Sequence, residues 1–245
     1  MSRIAKAFAQ KNAFVGYLTA GDGDSKVHFL SLLEGGVNVL EIGIPFSDPI
    51  ADGPTIQKAM ERSLKAGTKL KDVLELVSFL RSKTEVPMIL FTYFNPIQRD
   101  LKGFLQKAKV AGADGVLVVD LSLEESGEYR ALCRQIGLDP IFVIAPSTPP
   151  ERISQIASEG RGFLYYACRK GTTGAREGFP ADLETQLRQI RSLSNLPIAV
   201  GFGVAKREVA AQLLTLADGF VVGSFFVDGI AQGKDLKQLA EEIKP

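Results

Sequence analysis

The chain has 245 residues, 45% hydrophobic and 23% charged, with 29 Lys and Arg against 28 Asp and Glu for a net charge of +1. That balance excludes the basic stripe of a nucleic-acid surface, no apolar run reaches membrane-spanning length, and the N-terminus lacks the apolar core of a signal peptide. Two cysteines, Cys133 and Cys168, are too few for a disulfide framework or a metal cluster, so a cytoplasmic enzyme or binding protein is expected.

Along the chain, short apolar runs alternate with amphipathic stretches. The runs at 14–19, 39–44, 88–92, 116–119, 141–144, 163–166, 198–200 and 220–222 lack polar alternation and read as buried parallel strands. Helical spacing marks 26–33, 56–66, 70–82, 104–111, 124–135, 151–158, 181–193, 206–214 and 235–243; Leu70, Val73, Leu74, Val77 and Leu80 illustrate it. Turn signals stand before the strands: Gly-Gly-Val-Asn38, Val-Pro87, Gly-Ala-Asp-Gly115, Asp-Pro140, Leu-Pro197 and Ala-Asp-Gly219. Eight strand–helix units in this length predict one (β/α)8 TIM barrel over 1–245 with extra short helices. A doubly wound open sheet is the competitor, but it needs about six strands and gives no reason for eight even repeats.

A barrel places its working groups at the C-terminal ends of strands and in the loops that follow. The second run and the loop after it read Glu41-Ile-Gly-Ile-Pro-Phe-Ser-Asp-Pro49, then Asp52-Gly-Pro-Thr-Ile56. A carboxylate within a buried strand loses several kcal/mol of solvation unless paired or protonated. Glu41, Asp48 and Asp52 are therefore expected to converge at one strand end, either as a solvated acidic turn or as a site for proton transfer. Glu41, its pKa raised by burial, suits an acid/base role, and Asp52, ionised in the loop, an orienting one. Alternatively Asp52 caps the following helix; Asp48 reads as a brace within the loop.

Three glycine turns follow the sixth, seventh and eighth runs: Gly171-Thr-Thr-Gly174, Gly201-Phe-Gly203 and Gly223-Ser224. Barrels often bind a phosphate there, with close backbone approach at glycine and N–H groups of a helix start aimed at the anion. The sole histidine, His28, lies on a helix-like segment away from the strand ends, which argues against histidine triads and His-ligated metals. Cys168 reads as packing rather than nucleophile. Neither Lys102 nor Lys170 lies inside an apolar strand, where a Schiff-base lysine is preferred.

The segment 41–57 closely resembles the tryptophan synthase alpha subunit family. So do Tyr17-Leu-Thr-Ala-Gly-Asp22, Thr92-Tyr-Phe-Asn-Pro-Ile97, Ala145-Pro-Ser-Thr148, Gly171-Thr-Thr-Gly-Ala175, Val200-Gly-Phe-Gly203 and Asp218-Gly-Phe-Val-Val-Gly-Ser224, so that the match covers essentially the whole chain. The resemblance implies a lyase that cleaves indole-3-glycerol phosphate to indole and glyceraldehyde 3-phosphate. It assigns catalysis to Glu41 and Asp52, substrate contacts to Tyr17, Ile56, Phe91, Tyr165, Thr173 and Phe202, and phosphate contacts to Gly174, Gly203, Gly223 and Ser224. It implies no cofactor in this chain and a pyridoxal-phosphate (PLP) beta subunit as partner in an alpha2beta2 heterotetramer, contacted by 48–53 and the segment after Asp120.

Several positions depart from the family pattern: Gly16 and Gly23 where proline is usual, Phe91 where a smaller side chain is usual, Ser122 and Leu123 for two prolines, and Cys168 and Thr172 in the loop after the sixth run. They motivate a second reading, a weakly active alpha subunit acting mainly as a ligand-dependent activator of the beta subunit. A third, a related phosphate-handling barrel isomerase, fits the acidic loop less well.

Overall fold

The computed structural model describes residues 2–168, 180, 182–201 and 203–245. Eight strands are all parallel and close in chain order into a barrel: β1 (Ala13–Thr19), β2 (Val39–Gly43), β3 (Met88–Thr92), β4 (Gly115–Val118), β5 (Asp139–Ile144), β6 (Leu164–Ala167), β7 (Ile198–Gly201) and β8 (Gly219–Val222). Around them run α1 (Arg3–Phe8), α2 (Ser25–Glu34), α3 (Pro54–Lys65), α4 (Leu70–Arg81), α5 (Asn95–Gln98), α6 (Leu101–Ala111), α7 (Gly127–Ile136), α8 (Pro150–Glu159), α9 (Leu183–Leu193), α10 (Arg207–Leu216), α11 (Ser224–Ala231) and α12 (Leu236–Ile243). This is the (β/α)8 barrel with extra short helices that the alternating pattern predicts.

Three helices went unread in the sequence: α1, α5 and α11. The first two are too short for a periodic apolar stripe, and α11 is apolar on most sides, with Phe226, Val227 and Gly229 buried. The Asp-Pro140 pair, read as a turn, instead opens β5. A proline near a strand start sacrifices little pairing, and its carbonyl still accepts the Arg161 N–H at 3.0 Å.

The strand register decides what fills the barrel. Followed once round, the pairing closes with the stagger typical of this fold, so alternate strands contribute side chains at one height. Val15, Ile89, Ile141 and Ala199 form a solid layer toward the strand N-termini. Above it come Glu41, Leu117, Tyr165 and Val221 from the even strands, then Tyr17, Phe91, Val143 and Gly201 from the odd ones. The uppermost even layer is Gly43, Val119, Ala167 and Gly223. Two glycines and an alanine cannot fill that layer, and a hollow opens at the mouth.

Candidate active site

A cavity of about 170 Å³ occupies this hollow, lined by Tyr17, Glu41, Asp52, Ile56, Phe91, Tyr165, Gly203, Gly223 and Ser224 among others. Nine of the twelve residues singled out in the sequence therefore share one chamber. The other three, Thr173, Gly174 and Phe202, lie outside the described residues. The apolar walls Val119, Val143, Ala167 and Val221, together with Ala51 and Gly201, complete the lining. The four wall residues were missed singly because each looks like ordinary strand core, whereas Gly201 reads as part of a glycine turn. Inward alternation combined with register would have found them.

Glu41 is 1% exposed, and its Oε1 has no hydrogen-bond partner among the described residues. Burial, assisted by the charge of Asp52, pushes its pKa up to about 8. Thus at neutral pH it holds its proton, facing a space large enough for a ligand. Asp52 reaches the same chamber from the loop. The Tyr93 hydroxyl donates to Asp52 Oδ2 at 2.6 Å and accepts the Ala51 N–H at 3.0 Å, while Gln57 Nε2 donates to the Asp52 carbonyl at 2.9 Å. Burial raises the Asp52 pKa to about 6, opposed by the Tyr93 hydrogen bond. Tyr93 is a functional neighbour that the sequence did not single out; its signal was an isolated tyrosine at a strand end.

Two expectations for the acids need correcting. Asp48 does not join them: it is exposed and accepts a hydrogen bond from the adjacent Ser47 at 2.5 Å, as a brace of the loop would. The prolines Pro45 and Pro49 turn the chain outward there, leaving Ile50 80% exposed, before Asp52 returns to the mouth. Nor is Asp52 a helix cap. The N-cap of α3 is Gly53, followed by Pro54 at the position where a missing N–H costs nothing.

The ring-bearing walls are held by glycine. A Cβ on Gly43 would lie 2.3 Å from the Tyr17 hydroxyl, and one on Gly201 would lie 2.7 Å from the Tyr165 ring. Each tyrosine thus lies across a glycine on the neighbouring strand. The Tyr17 and Phe91 rings meet edge-on at 5.5 Å, and the Tyr17 hydroxyl pairs with Thr19 Oγ1 at 3.3 Å. On the β7–β8 side of the chamber, Gly203 has φ +72, a left-handed conformation suited to glycine, and Gly223 leads directly into α11, whose first residue is Ser224. The lone histidine, His28, sits half-buried on α2 and does not line the chamber; Cys168 is buried at the end of β6.

The closed parallel barrel, with a protonated carboxyl and a largely ionised one facing a mostly apolar chamber, defines the class: a barrel enzyme equipped for acid/base chemistry on a partly apolar substrate. Comparison with known proteins agrees. The family model described as tryptophan synthase alpha chain matches residues 4–244. The tryptophan synthase alpha chain of Coxiella burnetii (strain CbuK_Q154) is 49% identical over all of this chain and 98% of its own length, and that of Chlamydia felis 43% over all of this chain and 99% of its own. Among solved structures, Mycobacterium tuberculosis tryptophan synthase superposes with a TM-score of 0.93 at 33% identity, covering 99% of this chain and 97% of the other. The chain belongs to the tryptophan synthase alpha chain family, lyases of tryptophan biosynthesis.

Proposed function

We propose that the family's lyase reaction, cleavage of indole-3-glycerol phosphate into indole and glyceraldehyde 3-phosphate, runs in this chamber with Glu41 and Asp52 as its working carboxylates. The neutral Glu41 acid protonates C3 of the indole ring, and the positive charge that develops at the ring nitrogen is met by ionised Asp52. Glu41, now a carboxylate, takes the proton of the glycerol hydroxyl on the adjacent carbon. The bond from that carbon to indole C3 then breaks, its electron pair restoring the aromatic ring and the hydroxyl carbon leaving as the aldehyde. One group thus gives a proton and takes another, which suits a carboxyl with a pKa near neutrality. Tyr17, Ile56, Phe91, Tyr165 and Phe202 enclose the ring, and Gly174, Gly203, Gly223 and Ser224 hold the phosphate at the start of α11. Thr173 positions the acid at Asp52.

The observation that carries this reading is the buried Glu41, unpaired at Oε1 and sharing with Asp52 a chamber that is also lined by Gly201, Gly203 and Gly223. It supports an active lyase over the activator reading, since both carboxylates stand in place despite the altered residues around them. We further propose a beta subunit as partner in an alpha2beta2 assembly, seated on the outward acidic loop around Asp48 and Ile50 and on the segment after Asp120. This chain would then work without its own cofactor in the cytoplasm, PLP belonging to the partner. The test is steady-state indole release from indole-3-glycerol phosphate, with and without beta subunit. Substrate binding without indole release by the wild-type complex would overturn the catalytic reading.

A further inference from the structure

A polar clamp joins the turn after β1 to the helix after the acidic loop, and none of its groups lines the chamber. Asp22 is 2% exposed, and Arg62 takes both its oxygens: Nε donates to Oδ1 and Nη2 to Oδ2, each at 2.7 Å. Next along α3, the Ser63 hydroxyl donates to the Ala20 carbonyl at 2.6 Å. The turn is itself tied to the barrel, with the Ala20 N–H on the Gly43 carbonyl at 2.9 Å and the Asp22 N–H on the Thr19 carbonyl at 3.3 Å. Turn and helix are in tight contact here: a Cβ on Gly21 would lie 2.6 Å from the Ser63 hydroxyl.

Asp52 stands two residues before the start of α3. The rest of the buried face of α3, Ile56, Ala59 and Met60, gains its stability from non-directional apolar burial. Such a face resists removal from the core more than it resists sliding along it. A bidentate guanidinium–carboxylate pair fixes both distance and orientation, so the clamp sets the axial position of the helix. The acidic loop hangs between β2 and α3, and fixing α3 fixes its far anchor.

We propose that Asp22 and Arg62 are positioning residues for Asp52: their clamp sets the register of α3 against the barrel mouth and thereby the place of the carboxylate at its N-terminal end. The inference rests on the reading of Asp52 as a working group. Misplacing a reacting group by about 1 Å can cost on the order of 100-fold in rate.

The test compares Asp22→Asn and Arg62→Lys in the full chain with beta subunit present, and Val77→Ala, a core substitution on α4, controls for lost stability. In Asp22→Asn, kcat for indole release should fall about 10- to 100-fold with KM within about twofold. Arg62→Lys should lose less, because it keeps the charge but not the fork, and Val77→Ala should keep its kcat. Carboxyl NMR titration of Asp52 gives a readout independent of turnover: its pKa should move from about 6 toward the ordinary aspartate range in Asp22→Asn as water enters the loosened loop. If that titration moves while the wild type releases no indole, the lyase reading fails and the clamp stands. An unmoved titration, or a kcat loss equalled in Val77→Ala, would overturn the clamp.

Discussion

The strand N-termini and the chamber treat polar side chains in opposite ways. At the strand N-termini, Asn38, Asp114 and Asp218 each stand just before an even strand and accept a backbone N–H from the preceding odd one: Phe14 at 2.8 Å, Met88 at 2.9 Å and Ile198 at 2.9 Å. Each also donates its own N–H back to the same residue's carbonyl. Arginines complete the carboxylates, Arg81 and Arg3 on Asp114 at 2.7 and 3.2 Å, and Arg191 on Asp218 at 3.2 Å. At the mouth, Glu41 has no cationic partner among the described residues, an unpaired oxygen and a pKa pushed up to about 8. The same chemical group is thus a structural tie where its charge is matched and a proton carrier where it is not.

The sharpest break of this contrast is Glu41→Gln. Indole release should fall by on the order of 1000-fold or more in steady-state assay, while the fold becomes more stable. An unfolded glutamate releases its proton near 4.5 and folded Glu41 keeps it to about 8. Between those values unfolding releases a proton, so stability declines as pH rises. The amide should abolish that slope and add about 1–3 kcal/mol at pH 8, measurable by urea denaturation at several pH values. A destabilised Glu41→Gln would contradict the assignment of an uncompensated acid.

The opposite end should give the opposite result. Asp114→Ala removes the acceptor of Met88, Arg3 and Arg81 together and should cost about 3 kcal/mol of stability, with kcat per folded molecule unchanged. Smaller effects are expected around Asp52. Tyr93→Phe should lower kcat about 10-fold with little change in melting temperature. Because the lost hydrogen bond holds the Asp52 pKa down, the acid limb of the rate profile should move upward. The subtlest expectation is the profile itself: kcat/KM should rise through about pH 6 as Asp52 ionises and fall through about pH 8 as Glu41 loses its proton. The two limbs belong to the coupled pair.

Much of this was legible in residue order. Eight unalternating apolar runs with helical spacers announced the barrel, because parallel strands covered on both faces need no polar side. Glu41 was conspicuous as the charge inside such a run, and Asp52 as an acid in the loop at its C-terminal end. Asp48, read as a brace of the loop, was still expected to converge with the other two acids, and only the course of the loop showed that it stands outside the chamber. Tyr93 and the clamp of Asp22 with Arg62 were hidden for another reason. Their partners lie 41 and 40 positions away, and a hydrogen bond across such a separation leaves no local pattern to read.

The sequence by itself determined the architecture, the identity of the buried acid and the family, since periodicity and an out-of-place charge are local properties of the chain. Only the tertiary structure decided where the cavity lies and what the acids become in it. The cavity exists because the closing register brings Gly43, Val119, Ala167 and Gly223 to one height, and because Tyr17 and Tyr165 lie across glycines of neighbouring strands. The proton on Glu41 follows from that closure. A carboxyl shut away from water without a cation beside it is most stable when neutral.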